Sequence, residues 1–413
     1  MNPIEKTNKQ TNIILLLGLF PAQIRKDIEL NSKGVIQYAA DALQWSFVKG
    51  FDHFSSFKII NLPFIGSFPL RFKILKSYAC NFEHIKGAND VNIGFLNLPI
   101  VKMFSRYRNA KKELLKTLSQ ASGETVIIIY SVNSPFLQSS VSVKKRCPGT
   151  KICLIVPDIP EHMSDSKNVF YRLLKRIDAF FINKAIKEVD SFVLLSDNMA
   201  DSLQIGHKPY VRIEGIYNPS DNPVASKERK KTILYSGTLA RRYGIMNLID
   251  AFSAIDKADY RLWICGEGDC REEIKSLAKI DNRVTYFGQI SRSEVLMLQK
   301  RATVLVNPRT SEGDFTKYSF PSKIIEYLAS GTPCIMHRLK GIPGEYFQYC
   351  FVSDKESAED LKNLILTVCE KSQTELNGFG EKAARFIRKH KKPNVQVKKI
   401  YDMLKIRTNV PCN

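Results

Sequence analysis

Short, nearly unbroken apolar runs alternate along the chain with longer segments whose apolar residues recur every three or four positions. The runs at 12–19 (NIILLLGL), 57–62 (FKIINL), 125–131 (TVIIIYS), 151–156 (KICLIV) and 191–195 (SFVLL) predict one series of strands. A second series falls at 232–236 (TILYS), 261–265 (RLWIC), 283–287 (RVTYF), 303–307 (TVLVN) and 333–336 (PCIM). Helical periodicity predicts helices at 109–119, 170–188, 245–256, 270–279, 293–301 and 321–330. Strands that are apolar on both faces, alternating with helices, mean parallel sheets covered on both sides. Two such series mean an α/β chain with two doubly wound units. The segment 216–231 (IYNPSDNPVASKERKK) is rich in Pro, Asn, Ser and charge and separates them. The expected domains are therefore 1–215 and 216–390, followed by a final amphipathic helix within 391–413.

A length of 413 residues agrees with two domains of about 200 residues each. The composition, 44% hydrophobic and 25% charged, is that of a folded globular protein. The net charge of +21 is not ordinary and calls for an anionic partner. Nine cysteines, none in C-x-x-C spacing, read as reduced thiols in a cytosolic protein. The six scattered histidines lack metal-ligand spacing, so no metal is expected, and no cofactor is expected beside the substrates. The apolar start NIILLLGLF runs directly into PAQIRKD without a small-residue cleavage site and reads as a buried first strand. No run reaches the roughly 18–20 apolar residues that a spanning helix needs.

Three stretches of the second half carry candidate chemistry. In 235–252 (YSGTLARRYGIMNLIDAF) a strand ends, a glycine turn follows and a helix begins. Gly237 allows close backbone approach, and Arg241 and Arg242 offer guanidinium forks where phosphate oxygens would sit. The plain alternative is a β-turn-α with a solvated basic pair. The stretch GEG at 266–268 lacks the third glycine of a dinucleotide loop and reads as a structural turn. In 315–334 (FTKYSFPSKIIEYLASGTPC), Pro321 fits a helix start, and Gly331 with Pro333 fits its end. Lys323 and Glu326 then share one side of that helix. A surface ion pair would explain them. A helix start at the carboxyl end of a parallel sheet instead faces a ligand, lysine to phosphate and carboxylate to ribose hydroxyls.

Together these stretches resemble the nucleotide-sugar half of GT-B glycosyltransferases, specifically the large retaining family four, over about 232–350. The resemblance rests on SGTLARRYGIMNLIDAF, LWICGEGDCREEI, RVTYFGQISRSEVLMLQKRATVLVNPR and YSFPSKIIEYLASGTPCI in that order. It implies a GT-B fold, two Rossmann-like domains facing a central cleft, with the last helix packing back on the N-terminal domain. It implies that Glu326 holds the ribose, that Gly237 opens the diphosphate loop and that Gln289 and Ile290 border the base. The family's first acidic residue falls on Tyr318, and its usual Arg and Lys of the diphosphate loop fall on Thr238 and Tyr243. Arg241, Arg242, Arg309, Lys317 and Lys323 are available as substitutes, and Lys317, Tyr318, Ser319 and Phe320 form the donor-sugar loop beside Arg309. The family works without a metal held by an Asp-x-Asp motif, and no two aspartates here are two apart. Front-face attack, with the departing phosphate taking the acceptor proton, needs no protein nucleophile. Asp158 in LIVPDIPEHM would face the cleft and orient the acceptor, or else simply cap the next turn.

Residues 71–117 carry ten Lys/Arg against three Asp/Glu. Within them VKMFSRYRNAKKELLKTL interleaves Met103, Phe104, Tyr107, Leu114 and Leu115 with Lys102, Arg106, Arg108, Lys111, Lys112 and Lys116. That pattern suits an anionic membrane surface, where a lipid-linked acceptor would lie. No zinc finger, ribonucleoprotein or zipper pattern supports nucleic acid as partner. The expectation is a metal-independent, retaining hexosyltransferase peripheral to the inner face of the cell membrane. It would take a nucleoside-diphosphate sugar and a carbohydrate or lipid-linked acceptor to make a surface polysaccharide or glycolipid. A 2-epimerase type of nucleotide-sugar enzyme and a non-catalytic membrane-associated partner are the alternatives.

Overall fold

A computed structural model describes residues 11–159, 169–219 and 225–407. The chain divides into two compact units, Glu214–Lys392 and the remainder, Met1–Ile213 with Pro393–Asn413.

The first unit holds β1 (Asn12–Leu17), α1 (Ala22–Asn31), α2 (Tyr38–Phe51), β2 (Lys58–Asn61), β3 (Cys80–Phe82) and β4 (Asp90–Asn92). It continues through α3 (Val101–Leu118), β5 (Thr125–Tyr130), α4 (Ser134–Arg146), β6 (Thr150–Val156), α5 (Val169–Ile186), β7 (Ser191–Leu194), α6 (Asn198–Ser202) and β8 (Tyr210–Arg212). The sheet order is β3-β4-β2-β1-β5-β6-β7-β8, parallel except at β3–β4. Connections leave β1 toward β2 on one side, and the chain later resumes at β5 on the other. The sheet's switch point therefore lies between β1 and β5. Buried polar side chains fix the turn after β1: Gly18 N–H donates to Gln44 Oε1 (2.7 Å), Leu19 N–H to Asn61 Oδ1 (2.6 Å) and Phe20 N–H to Asp41 Oδ1 (2.8 Å).

The second unit runs β9 (Lys231–Ser236), α7 (Ile245–Ser253), β10 (Tyr260–Cys265), α8 (Arg271–Ile280), β11 (Val284–Gly288), α9 (Arg292–Arg301) and β12 (Val304–Asn307). Then come α10 (Phe315–Tyr318), α11 (Lys323–Ser330), β13 (Cys334–His337), β14 (Phe351–Ser353), α12 (Ala358–Cys369) and α13 (Gln373–His390). Its sheet is wholly parallel in the order β11-β10-β9-β12-β13-β14. One apolar cluster packs Ile233, Leu248, Phe252, Ile264 and Val306 on one face, and a second packs Leu234, Leu305, Ile324, Leu328 and Met336 on the other. The unit's two ends are tied by a buried ion pair, Lys391 Nζ to Glu214 Oε1 at 2.5 Å, with Tyr346 donating to the same oxygen at 2.6 Å. The last helix, α14 (Pro393–Leu404), packs on α2, where Val397 and Pro393 leave no room for a Cβ on Gly50.

The strong runs became strands as the pattern predicts. The predicted helix 109–119 is the second half of α3, which begins eight residues earlier at Val101. Strands β3, β4, β8 and β14 have three residues each, too few to show a period. Helix α4 reads SPFLQSSVSVKKR, with many serines and valines of low helix propensity, and forms because Phe136, Leu137, Val141 and Val143 are buried. The eight cysteines among the described residues are unpaired.

His84, just past β3, sits between two carboxylates. Its Nε2 lies 3.0 Å from Asp52 and its Nδ1 2.6 Å from Asp90, and its ring stacks on Phe57 at 4.4 Å. Desolvation alone would lower its pKa, but the two carboxylate hydrogen bonds outweigh it and raise it to about 9. The imidazolium is therefore favoured by folding. Its stabilisation is complete below pH 6.5, declines as pH rises and is gone above about 9. His84→Gln is expected to lower stability by about 3 kcal/mol at pH 6 and far less at pH 9.5. Urea unfolding at both pH values checks this, and an equal loss at both would contradict it.

Candidate active site

The second sheet's order places its switch point between β9 and β12, whose carboxyl ends are Ser236 and Asn307. Open α/β sheets bind ligands outside the strand ends at such a point. Two loops leave it there, Gly237–Gly244 from β9 and Pro308–Ser322 from β12.

Glycines set the shape of the first loop. A Cβ on Gly266 would lie 1.8 Å from Gly237 O, and one on Gly268 would lie 2.3 Å from Leu239 O. The GEG stretch therefore lets the β10 turn pack against the β9 turn, as the structural reading expects. Leu239 N–H donates to Glu267 O (2.9 Å) and Gly237 N–H to Cys265 O (3.0 Å). These two N–H groups are engaged inside the protein, so side-chain cations carry more of the work of meeting an anion. Gly244, which the motifs did not single out, adopts φ 78° at the start of α7, with Pro308 O only 2.0 Å from where a Cβ would stand. It joins the two loops across the switch point.

The five cations offered as phosphate partners separate into two groups. Arg309 is buried (7% exposed), and its guanidinium lies 5.3 Å from the Tyr243 ring and 4.8 Å from Phe315. Its Nη2 donates to Ser319 Oγ at 2.6 Å, and its buried Nε has no acceptor. Desolvation lowers its pKa from the usual arginine value. Arg242 stands on the same two rings, 5.0 Å from Tyr243 and 5.9 Å from Phe315, and is exposed. Among the described residues no carboxylate forms an ion pair with either. The other three are engaged: Arg241 with Glu273 (3.2 Å), Lys317 with Asp314 (2.8 Å) and Lys323 with Glu326 (3.1 Å). Tyr243, on which the resemblance places the loop lysine, is thus an aromatic wall shared by two arginines.

Glu326 is held by more than its neighbour on α11. Gln299 Nε2 donates to its Oε1 at 2.8 Å, and Arg292 lies 3.8 Å from its Oε2. Desolvation would raise the carboxyl, but Lys323, Gln299 and Arg292 together hold it below the usual glutamate value, so it is ionised at neutral pH. Gln299 is fully buried on α9 and also donates to Ser236 Oγ at 3.4 Å. The Tyr327 hydroxyl accepts from Ser236 N–H (2.8 Å) and donates to Ser236 O (3.1 Å). The end of β9, the face of α9 and the start of α11 are therefore one polar network around Glu326. The Lys323–Glu326 pair by itself matches a plain surface ion pair. The buried glutamine does not, because burying an amide to fix a surface carboxylate would gain nothing. Gln299 was missed in the sequence. Its signal was a polar residue at the i+4 position of the stripe Val295, Gln299, Ala302.

The remaining predicted residues are more dispersed. Thr238 and Gln289 are exposed at the ends of their turns, and Ile290 is half-buried against the second apolar cluster. Ser319 supports Arg309. Phe320 packs in the core against Tyr346 at 5.1 Å and supports the loop from below. Tyr318 ends α10 and is half-buried. In the first unit Asp158 follows β6 and is exposed, although surrounding atoms desolvate its carboxyl and raise its pKa. The Pro160–Met163 part of its motif lies outside the described residues, as do 220–224 of the linker.

Residues 218–392 match the family model of glycosyl transferases group 1. No curated protein matches the chain by sequence. Several solved structures share its fold. Sucrose-phosphate synthase from Thermosynechococcus elongatus is 13% identical, with 95% of this chain and 99% of that one covered at a TM-score of 0.63. HepE from Anabaena in complex with UDP is 13% identical with the same coverage and a TM-score of 0.61. The lipopolysaccharide outer core galactosyltransferase WaaB is 14% identical, again over 95% and 99%, at 0.60. The fold is the GT-B fold of these structures, and the match to glycosyl transferases group 1 falls within the second unit.

Gly244→Ala is expected to lower the stability of the chain by about 3 kcal/mol or more, because positive φ and a backbone clash add together. Gly331→Ala, at φ 79° with its nearest neighbour 4.0 Å away, should cost only about 1 kcal/mol. Denaturant unfolding of the two variants checks this order. Equal losses would contradict the role given to Gly244.

Proposed function

We propose that the protein transfers a sugar from a nucleoside-diphosphate sugar to a carbohydrate or lipid-linked acceptor, with retention and without a resident metal. The observation that carries this reading is the pair Arg242 and Arg309 at the switch point, set on Tyr243 and Phe315 with no carboxylate partner among the described residues. Cleavage of the sugar–phosphate bond places negative charge on the departing diphosphate. Two guanidiniums fixed beside it stabilise that charge, more strongly because Arg309 is already desolvated. Glu326, ionised and oriented by Gln299, receives the ribose hydroxyls, and Lys323 is released from it to meet phosphate. Gln289 and Ile290 border the base. The departing phosphate takes the acceptor proton, so the chain need supply no nucleophile, and Asp158 orients the acceptor. HepE carries UDP in its structure, and a trehalose-6-phosphate protein from E. coli, 9% identical at TM-score 0.64, carries UDP-2-fluoro glucose. Those ligands support a nucleotide-sugar donor here.

The product is a surface polysaccharide or glycolipid, made at the inner face of the cell membrane. Helix α3 supports a peripheral attachment, since Phe104, Arg108, Lys112 and Lys116 are exposed on it. No helix of the described residues is long and apolar enough to cross a membrane. Lys102 and Arg106, which the helix pattern groups with the surface cations, point inward instead.

Incubation with UDP- and GDP-sugars plus a membrane lipid extract should release nucleoside diphosphate only when acceptor is present, and Glu326→Ala should lower that release at least tenfold. Conversion of the donor without acceptor would favour an epimerase. Release from no donor would favour a non-catalytic partner. Flotation with anionic liposomes should weaken as salt rises, and binding that ignores ionic strength would contradict the electrostatic attachment.

A further inference from the structure

The first unit has a cavity of about 640 Å³ at the switch point of its own sheet. It is lined from the β1 and β2 turns, the segment 32–37, α3 and the start of α4. Four cations line it, Lys33, Arg71, Lys102 and Arg106, and no acidic residue does. Arg106 is 3% exposed and forms the floor. Its guanidinium sits among Phe64 (5.5 Å), Phe95 (4.9 Å) and Phe136 (5.0 Å), and donates to Leu62 O and Pro63 O at 2.9 and 3.0 Å. Its buried Nε has no acceptor, and neither does any ion-pair partner appear for it among the described residues. Lys102 is one turn away, bonded only to Ile65 O at 2.5 Å. Desolvation and the charge of Arg106 bring it down to about 7, while desolvation brings Arg106 to about 9.

A buried guanidinium beside a half-buried ammonium, with no anion paired to either among the described residues, is unfavourable. An aromatic cage and two carbonyls lessen that cost without supplying the missing charge. Arginine is retained in such a place when something anionic completes the arrangement, and the open side of this one is the cavity. The cavity is too large for a single ion and suits a phosphate carried on a larger molecule. Its lining also includes Val35, 93% exposed, and Met103, 38% exposed, so the mouth is apolar where the floor is cationic.

We propose that this cavity binds the phosphate or diphosphate group of the acceptor, with Arg106 and Lys102 at the phosphate and Arg71 and Lys33 at the mouth. The assignment of that phosphate to the acceptor rests on the transferase reading above. The phosphate site itself does not.

Isothermal titration with inorganic pyrophosphate tests it, carried out on full-length protein carrying both Arg242→Met and Arg309→Met so that the donor-side arginines do not contribute. Pyrophosphate should bind, and adding Lys102→Met or Arg106→Met should each weaken binding at least tenfold. Arg106→Met should stay folded, since it removes a buried charge that no carboxylate balances, and Lys102→Met gives the same readout should it not. Unchanged affinity in the folded variants, or no binding at all, overturns the proposal. Flotation with phosphatidylcholine vesicles containing polyprenyl diphosphate separates the two sources. Capture that Lys102→Met abolishes assigns a lipid-linked phosphate. Pyrophosphate binding with no such capture keeps the site and assigns a soluble phosphorylated ligand. Pyrophosphate binding in a protein that shows no sugar transfer leaves this site standing and removes the transferase reading instead.

Discussion

A buried guanidinium without a carboxylate is the arrangement on which the functional structure turns. Arg309 in the second unit and Arg106 in the first are both nearly sealed, both set on aromatic rings and both left with an unsatisfied Nε. Replacing such a charge by an apolar side chain generally does not destabilise a protein, whereas leaving it unpaired does. Neither residue is explained by stability. Each stands at the switch point of its own sheet, where strand order opens a crevice, and each presents a positive charge that the fold does not neutralise. The contrast with Lys391 is instructive. That buried lysine ties the ends of the second unit and has carboxylates on two sides, Glu214 at 2.5 Å and Glu345 at 2.6 Å. The cation that holds the fold has its carboxylates, whereas among the described residues the two proposed to face a ligand have none.

The surroundings follow from that requirement. A loop proposed to hold a diphosphate needs a rigid end of β9, and Tyr327 clamps both the N–H and the C=O of Ser236. The loop must lie close to its neighbours, and Gly266, Gly268 and Gly244 remove the side chains that would prevent it. The carboxylate of Glu326 must stay ionised though mostly buried, and Gln299, Lys323 and Arg292 provide the hydrogen bond and charge that keep it so. These features place a polar, preorganised rim around Arg242 and Arg309. On the proposed reading, their chemistry is that of stabilising a departing diphosphate rather than of attacking a substrate.

Much of this was legible in the sequence. The apolar runs gave every strand of four or more residues, because a run that long buried in the sheet shows its pattern. The order of the motifs identified the second unit, and Gly237, Arg309 and Glu326 were named from it. Cation roles were harder to read. Arg241 and Arg242 are adjacent and identical in type, yet one turns to Glu273 and the other to Tyr243 and Phe315, a difference set by the 3-10 turn at Arg241–Tyr243 that no spacing reveals. Arg106 looked like one more charge on a basic helix, and only its packing against three phenylalanines, distant in sequence, shows that it faces inward. Gln299 and Tyr327 act through β9, about sixty and ninety residues earlier, so their partners lay beyond any local pattern.

On the proposed reading Arg309 and Arg242, and not Arg241, meet the diphosphate. Equilibrium binding of UDP, GDP and ADP to the full chain measures it, with Arg309→Met and Arg241→Met compared for whichever nucleotide binds. Arg309→Met is expected to show at least a tenfold weaker Kd and a shallower salt dependence, with Arg241→Met unchanged. Binding by Arg309→Met as tight as by the unaltered chain, or an equal loss in Arg241→Met, would contradict it.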